Sequence, residues 1–157
     1  MRKVLFLAVA AAALLAVGVA TAASSRTTVS KGMTVKIGTR NVKGLGTILV
    51  NASGRTLYMF VPDKQKKVTC LKACAALWPP VKLAAGAKAA GSGGVKASLL
   101  GSDPNPGGGK VVTYDKWPLY TYVPDTKPGE ATGQGINSDG GLWYVLSPSG
   151  AVIKKKA

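Results

Sequence analysis

The stretch LYMFVPD at residues 57–63 returns as LYTYVPD at residues 119–125. Five of the seven positions are identical, and Phe60 of the first copy corresponds to another aromatic residue, Tyr122, in the second. Successive side chains of a β-strand point to opposite faces, so the two aromatic residues of each copy share one face. The repeated string predicts two equivalent strands, each with an aromatic stripe.

These aromatic stripes have two interpretations. Aromatic side chains bury a large nonpolar area, so we predict that both stripes form core together with Trp78 and Trp143. The alternative is an exposed aromatic platform for a sugar or a peptidoglycan-like ligand. The candidate site residues of the repeated motif, whether structural or ligand-binding, are Tyr58, Phe60, Asp63, Trp78, Tyr120, Tyr122, Asp125 and Trp143.

Each copy ends in Val-Pro-Asp, which predicts the end of the strand. Proline has no N–H to donate to a sheet, and aspartate readily accepts hydrogen bonds from nearby backbone N–H groups. We interpret Asp63 and Asp125 as turn residues; a linked hypothesis is that each accepts a bond from a tyrosine hydroxyl or an amide of the other copy. A catalytic pair is disfavoured, because equivalent repeats do not push two carboxyl pKa values apart. A calcium site is also disfavoured, because calcium would need more oxygen ligands than a chain with so few acidic residues offers.

The similarity between the copies extends beyond the motif. Gly38 aligns with Gly101 and Gly44 with Gly107 ahead of the motif, and a tryptophan follows each aspartate at a comparable interval. Self-similarity at a fixed spacing indicates that one structural unit is used twice.

The two copies define the predicted domain organisation. We expect a first repeat at 34–83, a connection at 84–97 and a second repeat at 98–157. They should form a single β domain over 34–157, since neither copy alone buries enough surface to be stable. The Ala, Gly, Ser and Lys residues of the connection predict a flexible surface segment.

Short β-prone runs separated by Gly, Pro, Asn and Asp dominate this domain, as is typical of antiparallel β proteins. One segment, 69–78, has a helical spacing of nonpolar residues and is followed by two prolines that end it. We predict a mainly β fold: a small antiparallel sandwich or barrel built from two tandem repeats, with one short helix. Strands are predicted at 35–39, 47–50, 56–61, 110–114, 118–123, 141–147 and 151–153.

Cys70 and Cys74 are the two cysteines of the chain. An even number of cysteines in an exported protein predicts a disulfide. At positions i and i+4 of a helix their Cα atoms would lie about 6 Å apart, within the range for a disulfide. So short a loop should fix a local turn and add little global stability. A redox pair or a soft-metal site is the alternative, although redox motifs prefer a C-x-x-C spacing.

The first 22 residues have the order of a secretory signal peptide. Residues 1–3 are basic, residues 4–20 are nonpolar, and Ala-Thr-Ala at 20–22 fits a cleavage site. A retained membrane anchor is the alternative, since the nonpolar run is close to the minimum spanning length. No cysteine follows the segment directly, so a lipid anchor is not predicted. Residues 23–33 predict a loose polar lead-in.

The chain is strongly basic, with 21 Lys and Arg residues, 6 Asp and Glu residues and a formal net charge of +15. Loss of Arg2 and Lys3 with the signal peptide leaves +13 (15 − 2). This charge predicts attraction to anionic partners, either cell-envelope polymers or a membrane surface. Lysine clusters at 64–67 and 154–156 lack interleaved aromatic residues, so no specific nucleic-acid site is predicted.

The chain contains no histidine, which removes several classes of active and metal sites. Ser-His-Asp and Cys-His catalytic groups, His-ligated zinc and His-ligated haem all require it. We therefore predict no catalytic residue, no metal site and no cofactor.

Several linked motifs occur in an order typical of a known family. They are Tyr58-Met59-Phe60 with Asp63, Cys70 and Cys74 ahead of Trp78-Pro79-Pro80, Pro118-Leu119-Tyr120 with Asp125, Gly133-Gln134-Gly135, and Trp143-Tyr144-Val145. On these motifs the chain resembles a bacterial family of secreted repeats of unknown function, also described as predicted lipoproteins with a Yx(FWY)xxD motif. The resemblance implies an exported, envelope-associated protein with tandem repeats and no settled activity.

Together these observations predict an exported, non-catalytic protein of the cell envelope or the extracellular space. It would be a structural or binding module attracted to anionic envelope polymers. The alternative is an envelope protein that handles electrons or soft metals through Cys70 and Cys74.

Overall fold

The computed structural model describes residues 33–64 and 67–156 of the chain. The predicted signal peptide at 1–22, and all but the last residue of the lead-in at 23–33, lie outside the described residues. Within the described ranges, no helix has the length and nonpolar character needed to cross a membrane.

Strands dominate these ranges, accompanied by one α-helix, α1 (Ala73–Leu77), and 3₁₀ turns at Val61–Asp63 and Ala97–Leu99. The earlier strands are β1 (Thr34–Val42), β2 (Gly46–Asn51), β3 (Tyr58–Phe60), β4 (Lys82–Leu83) and β5 (Lys88–Gly91). The later strands are β6 (Leu100–Pro104), β7 (Lys110–Tyr114), β8 (Trp117–Pro118), β9 (Asn137–Ser138), β10 (Gly141–Leu146) and β11 (Val152–Ile153). The predicted mainly β fold with one short helix is confirmed.

The strands form three sheets, in the orders β2-β1-β5, β11-β10-β3 and β4-β7-β6. Strand β9 adds to the second sheet and β8 to the third. The described strands do not close into a barrel, so that alternative is wrong. The backbones of Tyr58 and Tyr120 pair antiparallel and exchange hydrogen bonds of 2.8 and 2.9 Å. This contact joins the two motif strings directly.

The two repeats build the same hairpin in the same register. In β1–β2, Gly38 lies opposite Val50, and the equivalent pair in β6–β7 is Gly101 with Thr113. The register of a strand pair decides which side chains face the core. The internal repeat of the sequence is therefore also a repeat of structure.

Strand alternation divides the core into two clusters on either side of β3. Tyr58 and Phe60 pack with Trp78 in one cluster, while Leu57 and Met59 pack in the other. These five side chains are at most 2% exposed. A strand that is buried on both faces is nonpolar at consecutive positions, which explains the run Leu-Tyr-Met-Phe.

The connection between the repeats differs from the flexible segment that we predicted. Residues Lys88–Gly91 form β5, which pairs in parallel with β1 through partners such as Val35 and Ala89. Alanine and glycine have low β propensity, and this strand depends on pairing with a segment far away in sequence. Local composition therefore gave the wrong prediction here.

Two other predicted elements are shorter in the structure. The helix covers Ala73–Leu77 instead of 69–78, because Lys72 at its start has a left-handed φ of 53°. Of the strand predicted at 118–123, Pro118 belongs to β8, and Tyr120 then pairs only through isolated bridges.

Candidate functional site

Each motif string ends in Val-Pro-Asp, and the aspartate of each is buried in the protein. Strand β3 ends at Phe60, and Val61–Asp63 forms a 3₁₀ turn with Pro62 near its start. The side chains of Asp63 and Asp125 are both 0% exposed. Proline therefore ends the first strand as predicted, but the aspartates that follow carry their carboxyl groups into the protein.

The two buried carboxyl groups join the repeats through reciprocal hydrogen bonds. The hydroxyl of Tyr58 donates to Oδ2 of Asp125 over 2.5 Å. The hydroxyl of Tyr120 donates to Oδ2 of Asp63 over 2.6 Å. Each tyrosine belongs to one repeat and its aspartate to the other, which is the arrangement of the linked hypothesis. We call these two pairs the crossed locks.

A threonine completes each crossed lock. Thr69 donates from its backbone N and its Oγ1 to Oδ1 of Asp63, at 2.8 and 2.7 Å. Thr132 does the same to Oδ1 of Asp125, at 3.0 and 2.6 Å. Sequence reasoning missed both threonines. The available signal was a threonine six or seven residues after each repeated aspartate.

Burial controls the protonation of the crossed locks. Burial raises the pKa of Tyr58 and Tyr120 above the ordinary 10.0, and the hydrogen bond to a carboxylate raises it further. Burial also raises the pKa of Asp63 above its ordinary 3.8, while hydrogen bonds from Tyr120 and Thr69 act in the opposite direction. Both tyrosines therefore stay neutral donors well into the alkaline range.

Four aromatic rings stack beside the locks. Trp78 lies at the centre, with ring centroids 3.9 Å from Trp143 and 4.1 Å from Tyr122. Phe60 extends the stack, 4.2 Å from Trp143. Tyr122 is only partly buried at its end of the stack, whereas the other three rings are at most 2% exposed. An exposed platform built from all the motif aromatic residues is therefore wrong, and core packing accounts for them.

Cys70 and Cys74 form the expected disulfide, with Cα atoms 5.2 Å apart. Only Cys74 lies in α1, so the predicted pairing within a helix is wrong. Between the two cysteines, Lys72 has a φ of 53° and a ψ of −117°, a conformation that residues with a side chain rarely adopt. The disulfide closes a small ring of residues 70–74, and this lysine is the middle residue of that ring.

An open groove of about 600 Å³ lies beside this ring. The first repeat supplies the ring and the prolines after Trp78, and the second repeat supplies the turn between β6 and β7. We call it the disulfide groove. Its lining includes Cys70, Lys72, Pro79, Pro80, Lys82 and Asn105. Sequence reasoning did not find this groove, because its walls come from two separate segments.

The carboxyl groups and sulfur atoms singled out in the sequence are engaged within the protein in the described residues. In the ranges 33–64 and 67–156, no three His, Cys, Asp or Glu side chains are grouped as metal ligands. The lock carboxylates accept bonds from protein donors, and the two sulfur atoms are bonded to each other. The disulfide groove, with Lys72 and Lys82 in its lining, is an open concave surface built from both repeats.

Comparison with protein families gives a match over both repeats. The model of a family described as a secreted repeat of unknown function matches residues 40–82 and residues 104–147. The chain belongs to this family. Both crossed locks of this secreted repeat protein, its disulfide and the residues that line its groove lie within the matched segments. No curated protein and no solved structure matches the chain.

Membership of the family bears on location. The family is described as secreted, which supports a place outside the cytoplasm for this secreted repeat protein. The resemblance drawn from the Tyr-x-aromatic-x-x-Asp motifs is confirmed, and so is the tandem organisation.

Proposed function

We propose that this secreted repeat protein is a non-catalytic binding or structural module that associates with anionic polymers of the cell envelope. The distribution of its charge carries the proposal. The formal net charge is +15, and every lysine in the described ranges is exposed. A surface of one sign attracts polyanions over a distance of about 10 Å at 0.1 M salt.

Burial makes the surface more positive than the composition shows. Of the six acidic residues, Asp63, Asp103 and Asp125 are buried. The acidic side chains that remain nearer the solvent are Asp115, Glu130 and Asp139. Few carboxylates are therefore placed to offset the exposed lysines or to repel an anionic polymer.

The crossed locks support a non-catalytic role. A general base needs a lone pair within hydrogen-bond reach of a substrate. The carboxyl oxygens of Asp63 and Asp125 face tyrosine and threonine donors of the protein itself, and both residues are 0% exposed. We assign both aspartates to structure.

The alternative function, redox or soft-metal handling by Cys70 and Cys74, has less support. Both residues are buried, at 1% and 8% exposure, and their sulfur atoms are bonded to each other. Thiol–disulfide exchange needs access to a sulfur atom. Thiol titration of the folded, untreated protein separates the two functions: free thiols, or one soft metal ion bound per chain, would favour the alternative.

Salt dependence of polymer binding tests the proposal. The purified protein is titrated with polygalacturonate at low and at high salt, and with uncharged dextran as the control. We expect binding to the polyanion that weakens by at least about tenfold as salt screens the charges, and no binding to dextran. Polyanion binding that is independent of salt, or equal binding to dextran, would contradict the proposal.

A further inference from the structure

We infer that the disulfide groove holds one segment of a linear anionic polymer. Acidic groups of the segment would contact Lys72 and Lys82, and its uncharged backbone would lie against the prolines. The inference rests on the proposed function. It assigns one specific site to the general attraction between this basic protein and anionic polymers.

The charge of the groove favours an anion. Lys72 and Lys82 both line it and both are exposed, while no Asp or Glu contributes to the lining. A concave surface that carries one sign of charge concentrates ligands of the opposite sign. The groove is therefore electrostatically suited to a ligand with acidic groups.

Asn105 adds a directed hydrogen-bond donor. Asn105 lines the groove although it is only 8% exposed. Its Oδ1 accepts a bond from the backbone N of Gly107 at 3.0 Å, which fixes the orientation of the amide. Within the described ranges Nδ2 makes no hydrogen bond, so it can donate to a hydroxyl or an acidic oxygen of a ligand.

The shape of the groove favours a polymer segment over a membrane surface. Its volume of about 600 Å³ lies in the range of roughly 300–1,000 Å³ that is usual for ligand sites. Pro79, Pro80 and Pro106 give it rigid nonpolar walls that suit the C–H faces of sugar or polyol units. A flat layer of headgroups cannot enter such a concave site, whereas a single extended chain can.

The disulfide fixes one of the two cations. Lys72 lies inside the ring that Cys70 and Cys74 close, with its backbone in a rarely populated conformation. Such conformations persist only where the surrounding structure holds them, and they are frequent at ligand sites. The bond between the two sulfur atoms therefore preorganises Lys72 at the groove.

Binding to oligomers of defined charge tests the inference. The probes are oligogalacturonate, which carries carboxylates, and glycerol phosphate oligomers, which carry phosphodiesters. The variants are Lys72→Gln and Lys82→Gln. Lys43→Gln is the matched control, since Lys43 is exposed in the loop after β1 and does not line the groove. We expect each groove variant to weaken oligomer binding by about tenfold and the control by less than about twofold.

Each outcome of this comparison has a distinct meaning. Tighter binding of one oligomer, lost in the groove variants, supports the inference and identifies the acidic group. Equal losses in all three variants would overturn the groove site and leave the proposed function intact. Absence of any polymer binding by the unchanged protein would overturn both. Tighter binding to phosphatidylglycerol vesicles than to either oligomer would overturn the polymer as the occupant.

Cross-linking provides a second measurement that does not depend on variants. A carbodiimide couples carboxylates of bound oligogalacturonate to lysine amines, and peptide mass spectrometry locates the products. We expect coupling at Lys72 and Lys82 to exceed coupling at Lys43 at the same reagent concentration. A distribution that follows lysine exposure alone would contradict a specific site.

Discussion

The first and second repeats have the same locks and different loops after them. In both, the tyrosine of one repeat donates a hydrogen bond to the buried aspartate of the other. After Asp63 the chain forms the disulfide ring and α1. After Asp125 it forms a glycine-containing loop in which Gln134 Nε2 donates to the backbone oxygens of Ile153 and Lys155.

This difference separates the part of the molecule that holds it together from the part that can contact a ligand. The locks must match because each serves both repeats at once. The loops differ although they touch: Trp78 Nε1, after the ring of the first repeat, donates to Oγ of Ser138 in the loop of the second. The loop of the second repeat binds the C-terminal segment, whereas the ring of the first repeat borders an open groove.

The equivalence of the locks predicts the largest effect. Asp63→Ala and Asp125→Ala should each lower the free energy of unfolding by about 4 kcal/mol, because a buried tyrosine hydroxyl and a threonine lose their acceptor. Urea unfolding measures the loss, with the exposed Asp139→Asn as a control that should cost less than about 0.5 kcal/mol, because asparagine tolerates the left-handed φ of 54° at this position. A large loss in one lock and a small loss in the other would show that the two locks are not equivalent.

Alkaline pH should destabilise both repeats together. In the unfolded chain Tyr58 and Tyr120 ionise near 10.0, whereas burial raises their pKa in the folded protein. Their contribution to stability is therefore complete below pH 10 and is lost as pH rises above it. Above pH 10 the free energy of unfolding should fall by up to about 1.4 kcal/mol per pH unit for each tyrosine.

Urea unfolding on both sides of pH 10 measures this slope. Tyr58→Phe and Tyr120→Phe should each remove about half of the alkaline slope that comes from the two lock tyrosines. An alkaline slope that neither substitution changes would show that these tyrosines do not control it.

Removal of the disulfide should have a smaller effect. A closed loop of five residues restricts the unfolded chain only slightly, so Cys70→Ser with Cys74→Ser should cost about 2 kcal/mol. Urea unfolding of this variant, and of the unchanged protein with and without reductant, checks the value. A loss as large as that of the lock variants would show that the ring also holds the two repeats together.

The smallest effects come from exchanging the aromatic residues at equivalent positions. Tyr122→Phe should change stability by less than about 0.5 kcal/mol, since its hydroxyl makes no hydrogen bond within the described ranges. Phe60→Tyr should cost about 1–2 kcal/mol, because it places a hydroxyl in a site that is 2% exposed. Thermal unfolding of the two variants compares them directly, and equal losses would contradict the different burial of the two positions.

Local patterns made much of the fold predictable. Strand β7 has the predicted bounds, Lys110–Tyr114, because it is a continuous β-prone run between glycines and a turn. Strand β3 ends before Pro62, as expected because proline has no N–H to donate to a sheet. The repeat is evident from identical residues at aligned positions, and its two hairpins have the same strand register.

Contacts between distant segments could not be predicted in the same way. The bond between Tyr58 and Asp125 joins residues 67 positions apart, so the sequence indicated it only as one hypothesis among several. Strand β5 exists through its pairing with β1, against the propensity of its own residues. The groove likewise depends on how the turn at Asn105 lies against the ring of the first repeat.

The crossing of the locks has a consequence for the order in which the protein is made. Tyr58 is synthesised 67 residues before Asp125, and Asp63 is synthesised 57 residues before Tyr120. A growing chain that ends between the repeats lacks the lock partner of Tyr58 and of Asp63, and only the bonds from Thr69 to Asp63 lie within its first repeat. We therefore expect the first repeat to fold only when the second is present, and a chain released before Tyr120 to be sensitive to proteases. Reciprocal bonding thus predicts that resistance to proteolysis requires both repeats in one chain.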